Sequence, residues 1–421
     1  MLSMADTEAL CRVGPGTLMG EFFRRFWLPG LLDRELPEAD CPPVRFRLLG
    51  EDLVVWRNTD GSVGAMQNAC PHRGASMFFG RNEENGLRCV YHGWKFDATG
   101  QCVDMPNEPA ESNFKHKIKA MAYPCAEWGG VIWLYMGPAH LQPELPQMEW
   151  CLVPPEHRFV KKWIQDCNYA QALEGEVDSS HISFLHREQL NRKETTKAQR
   201  GLSATDSAPV LTVQETEYGM TYGARRVAED GSYYWRVTQL MLPNYSLIPS
   251  PERSGGGGHC WIPMDDEHTW GWGYMCDAGK PIRAELRAAM EAGKQLVAEV
   301  PANSWWPTPN AANDYKIDRE LQKYGTFSGI AGIRHQDLAM VESMGAIYDR
   351  SREHLGTTDM AVIAIRKILL RLARDLAKGK EPPAASNGEL YRLRPIDAVD
   401  TEGDFGKLLT KREAEGKIPV A

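Results

Sequence analysis

The stretch CPHRGASMFFGRNEENGLRCVYHGW, residues 70–94, decides how this chain is read. It holds two short loops, Cys70-Pro-His72 and Cys89-Val-Tyr-His92, separated by sixteen residues, and each loop offers one sulfur and one imidazole. Around the loops, VRFRLLGEDLVVWRNTDGSVGAMQNACPH, from Val44, alternates apolar and polar residues between Gly and Asp-Gly turns, as small antiparallel sheets do. GGVIWLYMG at 129–137 supplies a further strand, and the β region ends near Pro146.

A classical zinc finger gives both cysteines first and both histidines second, whereas here each loop is mixed. That arrangement suits a cluster whose two metals want different ligands: in a Rieske [2Fe–2S] centre one iron takes two thiolates and the other two imidazoles. Two neutral imidazoles make such a cluster less negative and easier to reduce, as an electron relay requires. Gly74 and Gly93 let backbone amides approach the sulfurs, and Trp94 and Tyr91 are placed to shield the site from water. A structural zinc knot in a binding module is the competing reading.

Composition narrows the rest. At 421 residues the chain is long enough for two domains. Its 48 basic and 56 acidic residues give a net charge of −8, which argues against a nucleic-acid or anionic-membrane partner. The opening residues MLSMADTEAL lack a basic and then apolar leader, and no apolar stretch approaches a membrane span, so the sequence reads as cytoplasmic. Ten cysteines over such a length do not resemble a disulfide framework, and only Cys70 and Cys89 have a ligand-like setting.

The expected fold class is α+β. Residues 1–42, with GTLMGEFFRRFWLPGLL, read as a helical N-terminal arm packing on the second domain; 43–147 form the β domain; 148–421 form a domain of helices and antiparallel sheet. Within the latter, strand-like segments fall at 209–228, 232–248 and 259–276, and helices at about 281–299 and 357–379. The polar run 187–208 reads as a mobile loop and SGGGG at 254–258 as a flexible turn.

An electron relay needs an acceptor. NYAQALEGEVDSSHISFLH, 168–186, is helical in composition and places Asp178, His181 and His186 close together. On an ideal helix the two histidines diverge, with Asp178 between them around the axis; they converge if the second sits at a helix end or bulge. Two imidazoles and one carboxylate with open positions opposite form the facial arrangement for non-haem Fe(II). Asp337, in IRHQDLAMVESMGAIYDRS, is the chosen third ligand, with His335 and Glu342 as neighbouring alternatives.

With these motifs in hand, nearly the whole chain resembles the Rieske non-haem iron aromatic-ring oxygenases, and most closely their phthalate 4,5-dioxygenase group. CPHRGAS, GLRCVYHGWKFD, NYAQALEGEVDSSHISFLH and HQDLAMVESMGAIYDRSREHLGTTD carry the resemblance. It implies an all-β Rieske domain, a helix-grip type catalytic domain, a cluster on Cys70, His72, Cys89 and His92, and a mononuclear iron on His181, His186 and Asp337. It further implies that Asp178 bridges a cluster histidine of one subunit and an iron histidine of its neighbour, so that a homotrimer or stacked trimers form the working unit. Asn168 and Gln171 match polar residues near the iron. The implied reaction is O₂-dependent oxygenation fed from NAD(P)H by a separate flavin and iron–sulfur reductase, since this chain has no GxGxxG fingerprint of its own.

Members of that group commonly act on aromatic acids, and a buried carboxylate wants an arginine fork. Arg225, Arg226 and Arg236 are the candidates; strand alternation sends Arg225 and Arg226 to opposite faces, so at most one of them readily enters a pocket. The leading expectation is cis-dihydroxylation of an aromatic acid such as a phthalate or substituted benzoate. O-demethylation of a methoxylated, lignin-derived aromatic is the alternative, and a Rieske electron carrier with a degenerate second domain is the alternative of another class.

Overall fold

In the computed structural model, residues 1–187, 206–228, 230–249, 255–293, 297–302 and 304–418 are described. The alternating run from Val44 forms an antiparallel sheet, Val44–Leu48, Glu51–Arg57, Val63–Gln67 and Ala122–Tyr123, in that order. A second four-stranded sheet follows, Arg81–Asn82, Leu87–Arg88, Lys95–Phe96 and Cys102–Asp104. The Cys89 loop is the connection between its second and third strands, and the Cys70 loop leaves the first sheet after Val63–Gln67. Beneath both loops lies a separate core of Val54, Trp56, Met66, Met77, Leu87 and Phe96, so their geometry rests on packed apolar side chains.

The third sheet corrects the reading of the N-terminal arm. Met4–Cys11 and Leu18–Phe23 are helical, capped by the side chains of Ser3 and Thr17, but Trp27–Leu32 is a strand that pairs with Val131–Tyr135, which in turn pairs with Cys125–Trp128. Pro29 and Gly30 explain the change: Pro lacks a helical N–H donor and Gly loses most entropy in a helix, whereas WLPGLL buries every side chain in the extended form. The two helices lie against the helix Tyr169–Val177. Tyr169 donates its hydroxyl to Leu10 O (2.9 Å), and Phe23 packs edge-on against its ring.

From residue 158 the chain builds an eight-stranded antiparallel sheet. Its order is Arg158–Gln165, Thr269–Cys276, Gly257–Pro263, Tyr245–Leu247, Tyr233–Met241, Gly219–Val227 and Val210–Thr216, with Ile396–Asp400 pairing beside Tyr233–Met241. The predicted turn at 254–258 is a strand from Gly257 onward; a Cβ on Gly258 would stand 2.0 Å from Ser246 O, so the glycines serve close strand approach. Of the polar run 187–208, all but Arg187 and residues 206–208 lie outside the described residues. The helices are Tyr169–Val177, Ala284–Glu291, Ile333–Glu342 and Met360–Leu376, among shorter ones, and they give the α+β class expected.

Ion pairs clamp the helices. Glu174 Oε1 accepts from Arg350 Nε and Arg366 Nε, each at 2.8 Å, and Glu353 also engages Arg366. Arg350 is fully buried. Glu174→Ala leaves that guanidinium without its carboxylate, and a loss of about 3–5 kcal/mol is the expected outcome in denaturant unfolding.

Candidate metal centres

The two Cys/His loops close by the same backbone device. Gly74 N donates to Cys70 O (2.8 Å) and Gly93 N to Cys89 O (2.9 Å), while Cys70 N and Cys89 N donate to Ala75 O and Trp94 O, both at 2.8 Å. Both glycines sit at positive φ, +75° and +78°, where a side chain would be strained. The loops bring like donors together: His72 Nδ1 is 3.1 Å from His92 Nδ1, and the Cys70 and Cys89 thiols, both buried, are close enough for Cys89 to raise the proton affinity of Cys70. Among the described residues, these four donors do not gather within 4.8 Å as the second site's do. A tetrahedral zinc draws four donors to one point, whereas a sulfur pair set apart from a nitrogen pair suits a two-iron cluster.

The surroundings tune that site. Burial raises the Cys70 thiol to about 11, opposed by the backbone N–H groups of His72 and Arg73. Those amides would favour a thiolate and stabilise charge on a bound cluster. Trp94 is buried, stacks on His72 (4.4 Å, 14°) and is fixed by its Nε1–H to Asn107 Oδ1 (2.7 Å). Tyr91 differs from expectation: its ring lies 4.0 Å from that of His92, yet it is 56% exposed, so it shields only one side of that imidazole.

The second group of donors is assembled by a helix that stops. Asn168 caps Tyr169–Val177 by accepting from Ala170 N, and the helix ends because Asp178 Oδ1 takes the N–H and hydroxyl of Ser180, both at 2.7 Å, in place of a helical bond. The chain then turns through a 3₁₀ segment, His181–Ser183, which removes the divergence expected on an ideal helix. His181, His186 and Asp337 offer ligand atoms all within 4.8 Å of one another. Asp337 Oδ1 is 3.0 Å from His186 Nε2 and 3.7 Å from His181 Nε2.

Neighbouring groups select which imidazole nitrogen faces inward. Gln336 Nε2 donates to Ser328 Oγ and Ile330 O, both at 2.9 Å, so its Oε1 must accept, and it does so from His186 Nδ1–H at 2.7 Å. His186 Nε2 is thereby left as the donor atom. Asp178 Oδ2, 3.5 Å from His181 Nδ1, stands to do the same for His181. Burial opposes charge at Asp337, but His186, Arg334 and His181 outweigh it and hold the carboxyl far below its usual range. Asp178, likewise buried, is drawn down to about 2 by His181 and Ser180. Burial also opposes a charge on His181, yet Asp178 and Asp337 raise its proton affinity. A metal must displace that proton, so metal affinity is expected to fall as pH drops through the raised value; iron retained after gel filtration at about pH 8 and about pH 5.5 checks it.

The other sequence candidates are placed as follows. His335 and Glu342 are engaged elsewhere: His335 Nε2 accepts from Glu299 N (3.0 Å), and Glu342 accepts from Asp166 N (3.0 Å) and Tyr315 OH (2.6 Å). Asn168 and Gln171 bind other segments. Asn168 donates to Cys11 O and Asp266 O besides capping its helix, while Gln171 donates to Val341 O and Gly345 O and accepts from Tyr348 N. Their amides are consumed in tying segments together and bond to none of the three donors. Arg225 turns to Gly403 O and the rings of Tyr233 and Trp235. Arg226, on the opposite face, is fully buried; Nε donates to Asp206 O, Nη2 to Ser179 O (3.2 Å), and Nη1 makes no hydrogen bond among the described residues. Burial and nearby Arg236 bring Arg226 down to about 10, so it remains a cation at neutral pH. Arg236 has Asp397 at 4.0 Å. Glu176, His259 and Arg334, which no motif flagged, form a buried polar chain reaching Asp337; the one local hint was the i,i+3 spacing of Arg334 and Asp337.

Two mixed Cys/His loops on a β domain and a His/His/Asp group on a helix-and-sheet domain define an iron-dependent oxygenase. Residues 26–122 match the Rieske [2Fe-2S] domain and residues 134–401 the LigXa C-terminal domain like family. The chain is 40% identical over 401 residues to the 3-chlorobenzoate-3,4-dioxygenase oxygenase subunit of Comamonas testosteroni, covering 92% of each. It is 42% identical over 384 residues to the phthalate 4,5-dioxygenase oxygenase subunit of Pseudomonas putida, covering 88% of this chain and 86% of that one. In fold it is similar to the NdmA QL mutant of Pseudomonas putida CBB5 with theobromine (TM-score 0.60, 19% identity, 91% of this chain and 99% of that chain). This chain belongs to the Rieske non-haem iron oxygenases, among the oxygenase components of the phthalate-dioxygenase type. Its cofactors are a Rieske [2Fe–2S] cluster and a mononuclear non-haem iron, for which the donor sets above are chemically suited. No helix among the described residues is long and apolar enough to cross a membrane.

Proposed function

We propose that this chain is the terminal oxygenase that cis-dihydroxylates an aromatic acid, a phthalate or substituted benzoate, in the cytoplasm, with electrons drawn from NAD(P)H by a separate flavin and iron–sulfur reductase. Cys70, His72, Cys89 and His92 would hold the cluster, and His181, His186 and Asp337 the mononuclear iron. The bound metals supply electron delivery and O₂ activation; the chain supplies orientation, dryness and proton placement. The proposed organisation is an arm at 1–42, a Rieske domain at 43–147 and a catalytic domain at 148–421.

The observation that carries the substrate class is Arg226. A wholly buried guanidinium without a carboxylate partner is costly unless something anionic completes it. Among the described residues its Nη1 has no partner, and its Nη2 already holds the backbone two residues before His181. A substrate carboxylate on Nη1 would satisfy both charge and hydrogen bonding beside the triad. Arg226→Ala is expected to raise KM for a carboxylated aromatic about 10- to 100-fold, the scale of a lost charge-assisted bond, with a smaller change in kcat. An unchanged KM removes this anchor.

The working unit is proposed to be a head-to-tail ring, a homotrimer or stacked trimers, in which Asp178 faces a cluster histidine of the neighbour. Exposed Val90 and Tyr91 beside the cluster loop, and exposed Phe184 and Phe327 beside the triad, are apolar groups such a ring would cover. The test is turnover with a reductase and a panel of phthalate isomers, chlorobenzoates and methoxybenzoates, with products read by mass spectrometry. A cis-dihydrodiol, two oxygens and two hydrogens heavier than its substrate, is expected. Formaldehyde and a demethylated phenol would instead make the chain an O-demethylase.

A further inference from the structure

One buried charged network supplies neither a metal ligand nor the proposed substrate anchor. Glu176 lies in the last turn of the helix Tyr169–Val177, His259 on the strand Gly257–Pro263, and Arg334 in the first turn of the helix Ile333–Glu342. Their side chains are 5%, 1% and 5% exposed, so nothing in bulk water compensates them. Glu176 Oε1 accepts from Ser246 Oγ (2.5 Å) and His259 Nδ1–H (2.9 Å). With Nδ1–H given to Glu176, His259 Nε2 is the ring acceptor for Arg334 Nη2, which lies 2.9 Å from it and 3.2 Å from Nδ1. Arg334 Nη1 then reaches Asp337 Oδ2 at 3.2 Å, and the guanidinium carbon lies 5.4 and 5.0 Å from the ring centres of Trp163 and Trp261.

We propose that Arg334, oriented by the Glu176–His259 pair, is a positioning residue for Asp337: it engages Oδ2 and so presents Oδ1 alone to the metal. This rests on the reading of His181, His186 and Asp337 as the iron ligands. Asp337 Oδ1 is the oxygen near both imidazoles, and Oδ2 is the one held by Arg334. Without that hold the carboxylate is free to rotate and offer both oxygens, occupying a coordination position that an open facial site leaves for other ligands. The network also spans both sources of ligands, since Glu176 ends the helix that leads into His181 and Arg334 precedes Asp337 by one turn. Only a forked cation addresses His259 with one nitrogen and Asp337 with another; a lysine addresses one of them.

The test uses full-length protein carrying its cluster, loaded with Fe(II) and exposed anaerobically to nitric oxide, with the EPR signal of the ferrous–nitrosyl site as readout. Arg334→Gln and His259→Gln are compared with wild type and with Arg334→Lys. The expected result is an altered nitrosyl signal in Arg334→Gln with the Rieske signal unchanged, a smaller change in the same direction in His259→Gln, and only partial recovery in Arg334→Lys. Coupling of O₂ consumption to product should fall about 10-fold in Arg334→Gln. A wild-type nitrosyl signal in Arg334→Gln, or in His259→Gln should the first variant fail to fold, overturns the proposal. Absence of any nitrosyl signal from wild-type protein overturns the iron-site reading itself, and the positioning role with it.

Discussion

Replacing His181 or His186 by alanine is expected to abolish product while the reduced protein keeps its Rieske EPR signal. The two imidazoles supply two of the three donors within 4.8 Å of one another, and none of the loop donors near Cys70 and Cys89 takes part in that group. Removing either leaves one imidazole and Asp337, too few for the facial set, so iron affinity and turnover should each drop at least about 100-fold. The fold should tolerate His181→Ala better than His186→Ala. His181 is partly exposed, whereas His186 is 5% exposed and anchors Gln336, whose amide also holds Ser328 and Ile330. Metal analysis of each variant for two cluster irons against one mononuclear iron separates loss of a ligand from general unfolding. Loss of the cluster signal instead would mean that the two centres are wrongly assigned.

The second large effect is expected of Asp178→Asn, which should retain both metals and slow electron transfer between them about 10- to 100-fold. Asn keeps the side-chain volume and an oxygen for the Ser180 N–H and hydroxyl, so the turn that ends the helix survives. What it loses is the second carboxylate oxygen, 3.5 Å from His181 Nδ1, and a negative charge that His181 and Ser180 stabilise against burial down to about pH 2. In place of an acceptor it presents an amide N–H, which cannot accept from two imidazoles at once. Single-turnover reoxidation of the cluster reads this directly; a normal rate in the variant would remove the bridging role.

How much of this was legible in the sequence follows the range of the interactions. The Cys70 and Cys89 loops, and the grouping of His181 with His186, are written within a few residues of each other, and Asp337 stands out in a motif of its own. Even there, the ideal-helix picture of 168–186 missed that Asp178 ends the helix by binding Ser180. Alternation separated Arg225 from Arg226, but that Arg225 binds Gly403 O and Arg226 binds Ser179 O depends on partners remote in sequence. The amides of Asn168 and Gln171 look like site residues by position, and their bonds to Cys11, Asp266, Val341 and Tyr348 are not visible in the sequence. Arg334, His259 and Glu176 were invisible for the same reason: their chain of bonds joins a strand to two helices. The apolar density of Trp27–Leu32 suits a helix, but Pro29 removes a donor that a helix interior needs, and the segment forms an edge strand.

The most direct measurement is anaerobic single turnover of the reduced protein, mixed with O₂ and phthalate or 3-chlorobenzoate, before and after removal of the mononuclear iron alone. With both metals present, cluster oxidation should accompany product in proportion to the electrons stored. With the mononuclear iron removed, product should vanish and cluster oxidation slow. Equal cluster oxidation with and without that iron, and no product in either case, would contradict an oxygenase in which the Cys/His cluster feeds the His181, His186 and Asp337 site.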